Sequence, residues 1–255
     1  RRALQPAELA AINTAAGTTG NDTPLDTLIL RLHTETACRR AAALTLTPDD
    51  IDPEWCLLRL HEKNNLVRWQ PASPTLITAL LDHHTRRGPG NPTEPLLRYR
   101  DGSPITTRRY DHLWHRIGLH LPWVTKQGIT THWLRHTTLT WVERHYGYAI
   151  AHAYAGHHDH TDTATPTYLH ADIHDLATAL AALTGEPHPL APVPGSIDIS
   201  PPLKRSSRTR DVQRMATPRI RSNCQYLWIA GVQGARSQWS RTAMSSTVRP
   251  RDGGT

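Results

Sequence analysis

The most informative part of the sequence is the run Gly128-Ile129-Thr130-Thr131-His132-Trp133-Leu134-Arg135-His136-Thr137. His132 and Arg135 are three residues apart, so on a helix their side chains project from the same face. An imidazole and a guanidinium on one face can both donate hydrogen bonds to a single phosphate. The pattern His-x-x-Arg is common by chance, and its weight therefore depends on the residues that surround it in the sequence.

Further side chains suited to phosphate chemistry occur on both sides of this run. Upstream, Arg39 closes the stretch Thr36-Ala37-Cys38-Arg39, and Lys63 lies in an Asn-rich turn between two strand-like segments. Downstream, a Gly-His pair places His157, and the stretch Thr165-Pro166-Thr167-Tyr168-Leu169-His170 contains a tyrosine followed two residues later by a histidine. In chain order the candidate site residues are Arg39, Lys63, His132, Arg135, His157 and Tyr168.

This ordered series resembles the tyrosine recombinase (phage integrase) family over roughly residues 3–185, and the stretch 183–190 is similar to that of actinobacterial phage-type integrases. The resemblance implies the catalytic-domain fold of that family. This fold is α+β and mainly helical, with a small three-stranded antiparallel sheet at one side. It also implies site-specific DNA recombination or integration, in which strands are cleaved and rejoined through a 3′-phosphotyrosine intermediate.

The resemblance also implies a role for each residue. Arg39 and Arg135 would clamp the non-bridging phosphate oxygens, because guanidiniums are planar and permanently charged donors. Tyr168 would be the nucleophile, and its ordinary pKa of about 10 makes it a poor one at neutral pH without help. His132 would accept the tyrosine proton or hydrogen-bond the phosphate. His157 would be a second phosphate donor.

Lys63 would be the general acid that protonates the departing 5′ oxygen. No cofactor and no metal are expected, because the phosphotyrosine conserves the bond energy that religation needs. The implied partners are double-stranded DNA and three further protomers, which would form a homotetramer on two duplexes.

Apolar periodicity and turn residues predict a mostly helical body. Helices are expected within residues 6–12, 25–32, 74–81, 106–117, 131–144, 149–155 and 173–183. Strands are expected at 55–60 and 66–69, joined as a hairpin by the turn that contains Lys63. A third strand is expected at 95–99.

Composition divides the chain into a body and a tail. Residues 1–195 contain 18 Lys and Arg against 19 Asp and Glu, a balance of −1, whereas residues 196–255 contain 11 against 3, a balance of +8. We predict a catalytic domain at 1–187 and, at 188–255, a Pro-rich linker with a basic, disordered tail. The helical N-terminal domain of the family is expected to be absent. A frameshifted or read-through extension is the alternative account of the tail.

The same composition bears on where the protein works. Three scattered cysteines are too few for a disulfide framework, and no apolar run approaches the ~20 residues of a membrane span. The first residues lack the apolar region of a secretory signal. We therefore expect a bacterial cytoplasmic protein associated with the nucleoid, with no membrane partner.

Two departures from the family pattern support an alternative. The family usually has an acidic residue three positions after the first arginine, where this sequence has Ala42, and the interval from His157 to Tyr168 is longer than the commonest one. Together with the expected absence of the N-terminal domain, these departures favour a catalytically inactive, DNA-binding remnant of an integrase.

A histidine-rich segment raises a third possibility. His145, His152 and the run His157–His160 could suggest a metallohydrolase, since imidazole and carboxylate suit zinc. The helix that carries His132 and His136 lacks the glutamate of a His-Glu-x-x-His motif, and no cysteine joins the cluster. We therefore expect no metal site.

Overall fold

The computed structural model describes residues 2–62, 66–88, 92–156 and 171–192. Within these ranges the chain forms nine α-helices, a short 3-10 helix (Pro48–Asp50) and one sheet of three short strands. The helices are α1 (Pro6–Thr18), α2 (Thr23–Thr36), α3 (Arg40–Thr45), α4 (Pro74–Arg86), α5 (Thr107–His120), α6 (Pro122–Lys126), α7 (Thr131–Tyr146), α8 (Tyr148–Tyr154) and α9 (Ile173–Thr184). The strands are β1 (Ile51–Asp52), β2 (Leu57–His61) and β3 (Val67–Pro71).

Local sequence signals explain where several helices begin and end. The Ser73 hydroxyl accepts a hydrogen bond from the Leu76 amide at the start of α4, with Pro74 in the first turn. At the start of α9, the Asp172 carboxylate accepts hydrogen bonds from the amides of the second and third residues of the helix. Gly185 ends α9 with a φ of 71°, a left-handed conformation that glycine adopts without strain.

The three strands form an antiparallel sheet in the order β1-β2-β3. Leu58 and Leu60 of β2 are both fully buried, and the alternation places one face of the sheet on the core. The expected hairpin is confirmed as β2 and β3, and so is the mainly helical fold with a small antiparallel sheet.

The identity of the third strand was predicted wrongly. Residues 95–99 form no strand, and Arg98 makes only an isolated bridge with Pro104. Backbone hydrogen bonds of this segment go to the Leu46 carbonyl, which accepts from Leu96, and to residues 103–105. The third strand is instead β1, two residues long and paired with the start of β2. The short helices α3 and α6 were not predicted.

Helix α2 is the centre of the fold. It contacts α1, α4 and α7, and Leu25, Ile29, Leu30 and Leu32 on it are completely buried in the main core. A smaller cluster joins α7, α8 and α9 through buried side chains that include Val142, Tyr154 and Leu180. Ala37, directly after α2, belongs to this second cluster. The end of α2 therefore lies at the junction of both cores.

The described chain continues in contact with the body beyond α9. Glu186 pairs with Arg31 at 3.3 Å, and the buried His188 ring contacts the Cys56 carbonyl oxygen at 3.2 Å. Residues 193–255 lie outside the described residues, so the predicted domain boundary and the predicted disordered tail stay predictions. Among the helices that the structure describes, none is long and apolar enough to cross a membrane.

Candidate active site

A cavity of about 440 Å³ lies where the loop after α2 meets the start of α7. Three of the predicted site residues, Arg39, His132 and Arg135, line it. Two of them come from α7, and the third comes from the loop between α2 and α3, far away in sequence. The structure therefore brings together every predicted site residue that lies within the described part of the chain.

The other three predicted site residues, Lys63, His157 and Tyr168, lie outside the described residues. Their roles stay predictions. Two of them follow described residues directly in sequence: Lys63 follows Glu62 at the end of the β2 segment, and His157 follows Gly156 after α8.

Arg39 is the more accessible of the two arginines. It is the N-cap residue of α3, where its side chain makes no capping hydrogen bond, and 38% of that side chain is exposed. Its Nη1 donates a hydrogen bond to Oε2 of Glu62. Arg39 also lines a second cavity of about 790 Å³, whose wall includes Asp50, Arg59 and Glu62. Its guanidinium thus stands at the edge of both cavities, within reach of an anionic ligand.

Arg135 is buried and tied to the main chain. Its Nη1 donates to the Ala37 carbonyl oxygen, and its Nη2 donates to the Ala155 carbonyl oxygen at 2.7 Å. Burial lowers the pKa of Arg135 to about 10, and the positive charges of Arg39 and Arg68 act in the same direction. Arg135 therefore stays protonated at neutral pH and joins the loop after α2 to the turn after α8.

His132 lies in the first turn of α7 and is exposed to solvent. The start of this helix is held in place by Thr131, whose hydroxyl accepts a hydrogen bond of 2.7 Å from Nε1 of Trp114. The unpaired amides and the positive dipole end of a helix favour anions near its first turn. The same end of α7 therefore supports an anion beside His132.

A buried neutral pair forms the wall behind the cavity. The His33 ring contacts the Cys38 carbonyl oxygen through Nδ1 and the Tyr110 hydroxyl through Nε2, both at 3.0 Å. Burial lowers the pKa of His33 to about 4 and raises the pKa of Tyr110. His33 is therefore neutral at physiological pH, with Nδ1 donating to the carbonyl and Nε2 accepting from the hydroxyl.

Glu62 and Arg68, for which the sequence predicted no role, are connected to this site through Arg39. The Glu62 carboxylate is fully buried, and its Oε1 lies 3.3 Å from Nε and Nη2 of Arg68. A Glu beside a Lys in a polar turn is typical of an exposed residue, so no local signal marked it. A carboxylate partner for Arg39 is thus supplied by Glu62, which follows β2 directly and lies 23 residues further along the chain.

The metallohydrolase alternative finds no support in the described part of the chain. There, no group of three or more His, Cys, Asp and Glu side chains is close enough together to hold a metal ion. The run His157–His160 lies outside the described residues.

The fold and the clustered arginines define a class of protein. A sequence profile described as "Phage integrase family" matches residues 2–174, and the chain belongs to this family. No curated protein matches the chain.

Solved structures of site-specific recombinases have the same fold. XerH recombinase bound to its difH substrate is similar with a TM-score of 0.53 and 18% identity, over 62% of this chain and 48% of XerH. The Tn1549 transposon integrase in complex with transposon right end DNA gives a TM-score of 0.53 and 16% identity, over 62% of this chain and 58% of that one. The match thus spans about half of each relative, and at these identities it establishes the fold alone.

Proposed function

We propose that this chain carries the catalytic domain of a site-specific tyrosine recombinase, at residues 1–187, which cleaves and rejoins duplex DNA through a 3′-phosphotyrosine at Tyr168. The observation that carries the proposal is the meeting of Arg39, His132 and Arg135 in one cavity. Membership of the phage integrase family supports the same reaction.

The two arginines would stabilise the transition state. When an oxygen attacks a phosphodiester, negative charge grows on the non-bridging oxygens, and fixed cationic donors lower the free energy of that state. Arg135 is already held by two carbonyl oxygens, so it needs little reorganisation during the reaction. Arg39, partly exposed beside the cavity, would contact the same phosphate.

The covalent step balances without a cofactor. The Tyr168 oxygen attacks phosphorus, the bond from phosphorus to the 5′ oxygen breaks, and the phosphate stays attached to the 3′ end through tyrosine. His132 would accept the phenol proton, and Lys63 would donate a proton to the 5′ oxygen. His157 would donate a hydrogen bond to the phosphate. Religation reverses these transfers, so we propose no metal and no other cofactor.

The proposed partner is double-stranded DNA, and the proposed assembly is a homotetramer on two duplexes. XerH and the Tn1549 integrase were each seen in complex with DNA, which supports a DNA partner for this chain too. The near-neutral body predicts weak nonspecific binding by residues 1–195 alone, because such affinity comes from neutralising phosphates. The basic tail, with a balance of +8, would supply most of it.

A nicked suicide duplex tests the proposed reaction. The chain is incubated with the duplex in the presence of a chelator, and a protein–DNA adduct that survives denaturation is sought. We expect an adduct with the wild-type chain and none with Tyr168→Phe. Tyr148→Phe is the matched control, because Tyr148 is 66% exposed on α8 and should leave the adduct unchanged.

The other outcomes identify the alternatives. DNA binding without any adduct would support the inactive remnant. Strand cleavage that is lost with the chelator and tolerates Tyr168→Phe would support the metallohydrolase.

A further inference from the structure

Glu62 occupies an unusual position for a carboxylate. Its side chain is fully buried, and both of its oxygens are used, Oε2 by Arg39 and Oε1 by Arg68. A buried charge is costly unless it is paired and hydrogen-bonded. Glu62 meets this requirement with two guanidiniums, of which Arg68 is buried and Arg39 is 38% exposed at the edge of the cavity. The buried Glu62 carboxylate therefore restrains the partly exposed Arg39 guanidinium.

Arg68 extends this arrangement to a second part of the site. Its Nη1 donates to the Gln70 side chain, and its guanidinium lies directly against Gly156. A Cβ added at Gly156 would overlap the Arg68 side chain, so the main chain passes against the guanidinium where only glycine fits. Arg135 donates to the Ala155 carbonyl in the same turn. The turn is thus held by Arg68 and Arg135 together.

We infer that Glu62 is a positioning residue of the proposed active site: it orients the Arg39 guanidinium toward the phosphate and, through Arg68, fixes the turn that contains Ala155 and Gly156. It does this without contacting the phosphate. The inference rests on the proposed recombinase function. It assigns Glu62, and not a residue on α3, as the carboxylate partner of Arg39.

A nearby carboxylate provides a matched control. Asp50 is also buried and lines the cavity of about 790 Å³, but its Oδ1 contacts Arg59, at 2.8 Å, and His61, at 3.1 Å, while its Oδ2 accepts from Thr47. If burial of a charge in this wall were all that mattered, Glu62→Gln and Asp50→Asn would act alike. If Glu62 positions Arg39, only Glu62→Gln will slow cleavage.

The test measures single-turnover cleavage of the nicked suicide duplex, together with the Kd for that duplex and the melting temperature of each variant. We expect Glu62→Gln to lower the cleavage rate at saturating protein by about 10–100-fold, by analogy with the loss when a partner that orients a metal ligand is removed. The Kd should change less than about twofold, because the charge that contacts DNA is retained. Asp50→Asn should lower the melting temperature while leaving the saturating cleavage rate unchanged.

Combining Glu62→Gln with Arg39→Lys shows whether Glu62 acts through Arg39. Arg39→Lys keeps the charge and loses the planar fork, so Glu62 no longer has a guanidinium at position 39 to orient, while its pairing with Arg68 is retained. In that background Glu62→Gln should cost less than about threefold, a non-additive result. If Glu62→Gln alone does not fold, the double variant Glu62→Gln with Arg68→Met removes the buried pair together and should fold, with cleavage still slowed.

Each outcome has one meaning. Equal cleavage by wild type and folded Glu62→Gln overturns the inference and leaves the recombinase proposal standing. Losses that simply add in the Arg39→Lys background also overturn it, since Glu62 would then act elsewhere. An absence of adduct in the wild-type chain overturns the recombinase proposal, and the inference with it.

Discussion

Two clusters of arginine and carboxylate lie near opposite ends of α2. At the start of α2, the fully buried Asp26 receives hydrogen bonds from Arg109 and Arg116 of α5. Beyond the end of α2, the equally buried Glu62 receives hydrogen bonds from Arg39 and Arg68. In each cluster a single carboxylate is shared by two guanidiniums.

The clusters differ in what surrounds the cations. In the Asp26 cluster, Arg109 also donates to the Asn21 side chain and to the Asp22 carbonyl, and its side chain is only 7% exposed. In the Glu62 cluster, Arg39 reaches a cavity, and the nearby Arg135 adds a third positive charge. We therefore expect the closed Asp26 cluster to contribute to stability, and the Glu62 cluster, whose excess positive charge faces a cavity, to serve the proposed chemistry.

The largest expected effect is on the closed cluster. Asp26→Asn should lower the free energy of unfolding by about 3–5 kcal/mol, because it leaves the buried Arg109 and the partly buried Arg116 without their carboxylate. Denaturant titration measures this loss, and Asp82→Asn, in an exposed pair with Arg86, should change stability by less than ~1 kcal/mol. Equal effects of the two variants would show that the Asp26 cluster is not structural. Folded Asp26→Asn should cleave DNA at the wild-type rate.

Arg39→Ala should have the opposite effect, with a large loss of cleavage rate and a smaller loss of stability than Asp26→Asn. Removing one preorganised donor from a transition state costs about 2.7–4 kcal/mol, so cleavage of the suicide duplex should fall by about 10²–10³-fold. Arg86→Ala is the control, because its side chain is 69% exposed, it pairs with the exposed Asp82 at 3.4 Å, and it lines neither cavity. It should slow cleavage by less than about tenfold. If Arg39→Ala lowered the free energy of unfolding as much as Asp26→Asn does, the two clusters would not differ in their contribution to stability.

Acid should destabilise both regions, because each contains a buried neutral histidine. Burial lowers the pKa of His33, behind the Arg39 cavity, and of His83, near Asp22 and Arg87, from 6.5 to about 4. The unfolded chain therefore takes up protons that the folded chain does not. Stability is complete above pH 6.5 and falls as the pH drops from 6.5 toward 4, by about 3 kcal/mol for each histidine.

Unfolding titrations at several pH values check this expectation. His33→Gln and His83→Gln should each remove about half of the loss between pH 6.5 and 4. His112→Gln, at an exposed position on α5, should leave the pH dependence as it is. A flat pH profile in the wild-type chain would contradict the burial of both rings.

The smallest expected effect concerns the close packing of the Arg68 side chain against Gly156. Gly156 and Gly128 both have φ above +60°, so alanine at either position costs about 1–2 kcal/mol from backbone strain. Alanine at Gly128 meets open space, whereas alanine at Gly156 must displace Arg68. Thermal unfolding should therefore show a larger loss for Gly156→Ala. Equal losses would mean that the Arg68 guanidinium is not packed against this turn.

Much of the fold follows from local signals in the sequence. The apolar periodicity within 25–32 and 131–144 predicted α2 and α7, and Ser73 with Pro74 marked the start of α4. These signals act within one or two turns of chain, so they are readable without the tertiary structure. The chain order of the candidate site residues indicated the family for the same reason, since it needs only their spacing.

The rest depended on contacts between distant segments. The pairing of Arg39 with Glu62, the hydrogen bond from Arg135 to the Ala37 carbonyl and the choice of β1 over 95–99 all depend on tertiary packing. A charged side chain looks the same in sequence whether it faces solvent or a buried partner. The sequence alone therefore determined the longer helices, the family and the candidate residues, and the tertiary structure decided which charges meet, because burial and pairing depend on how the segments pack.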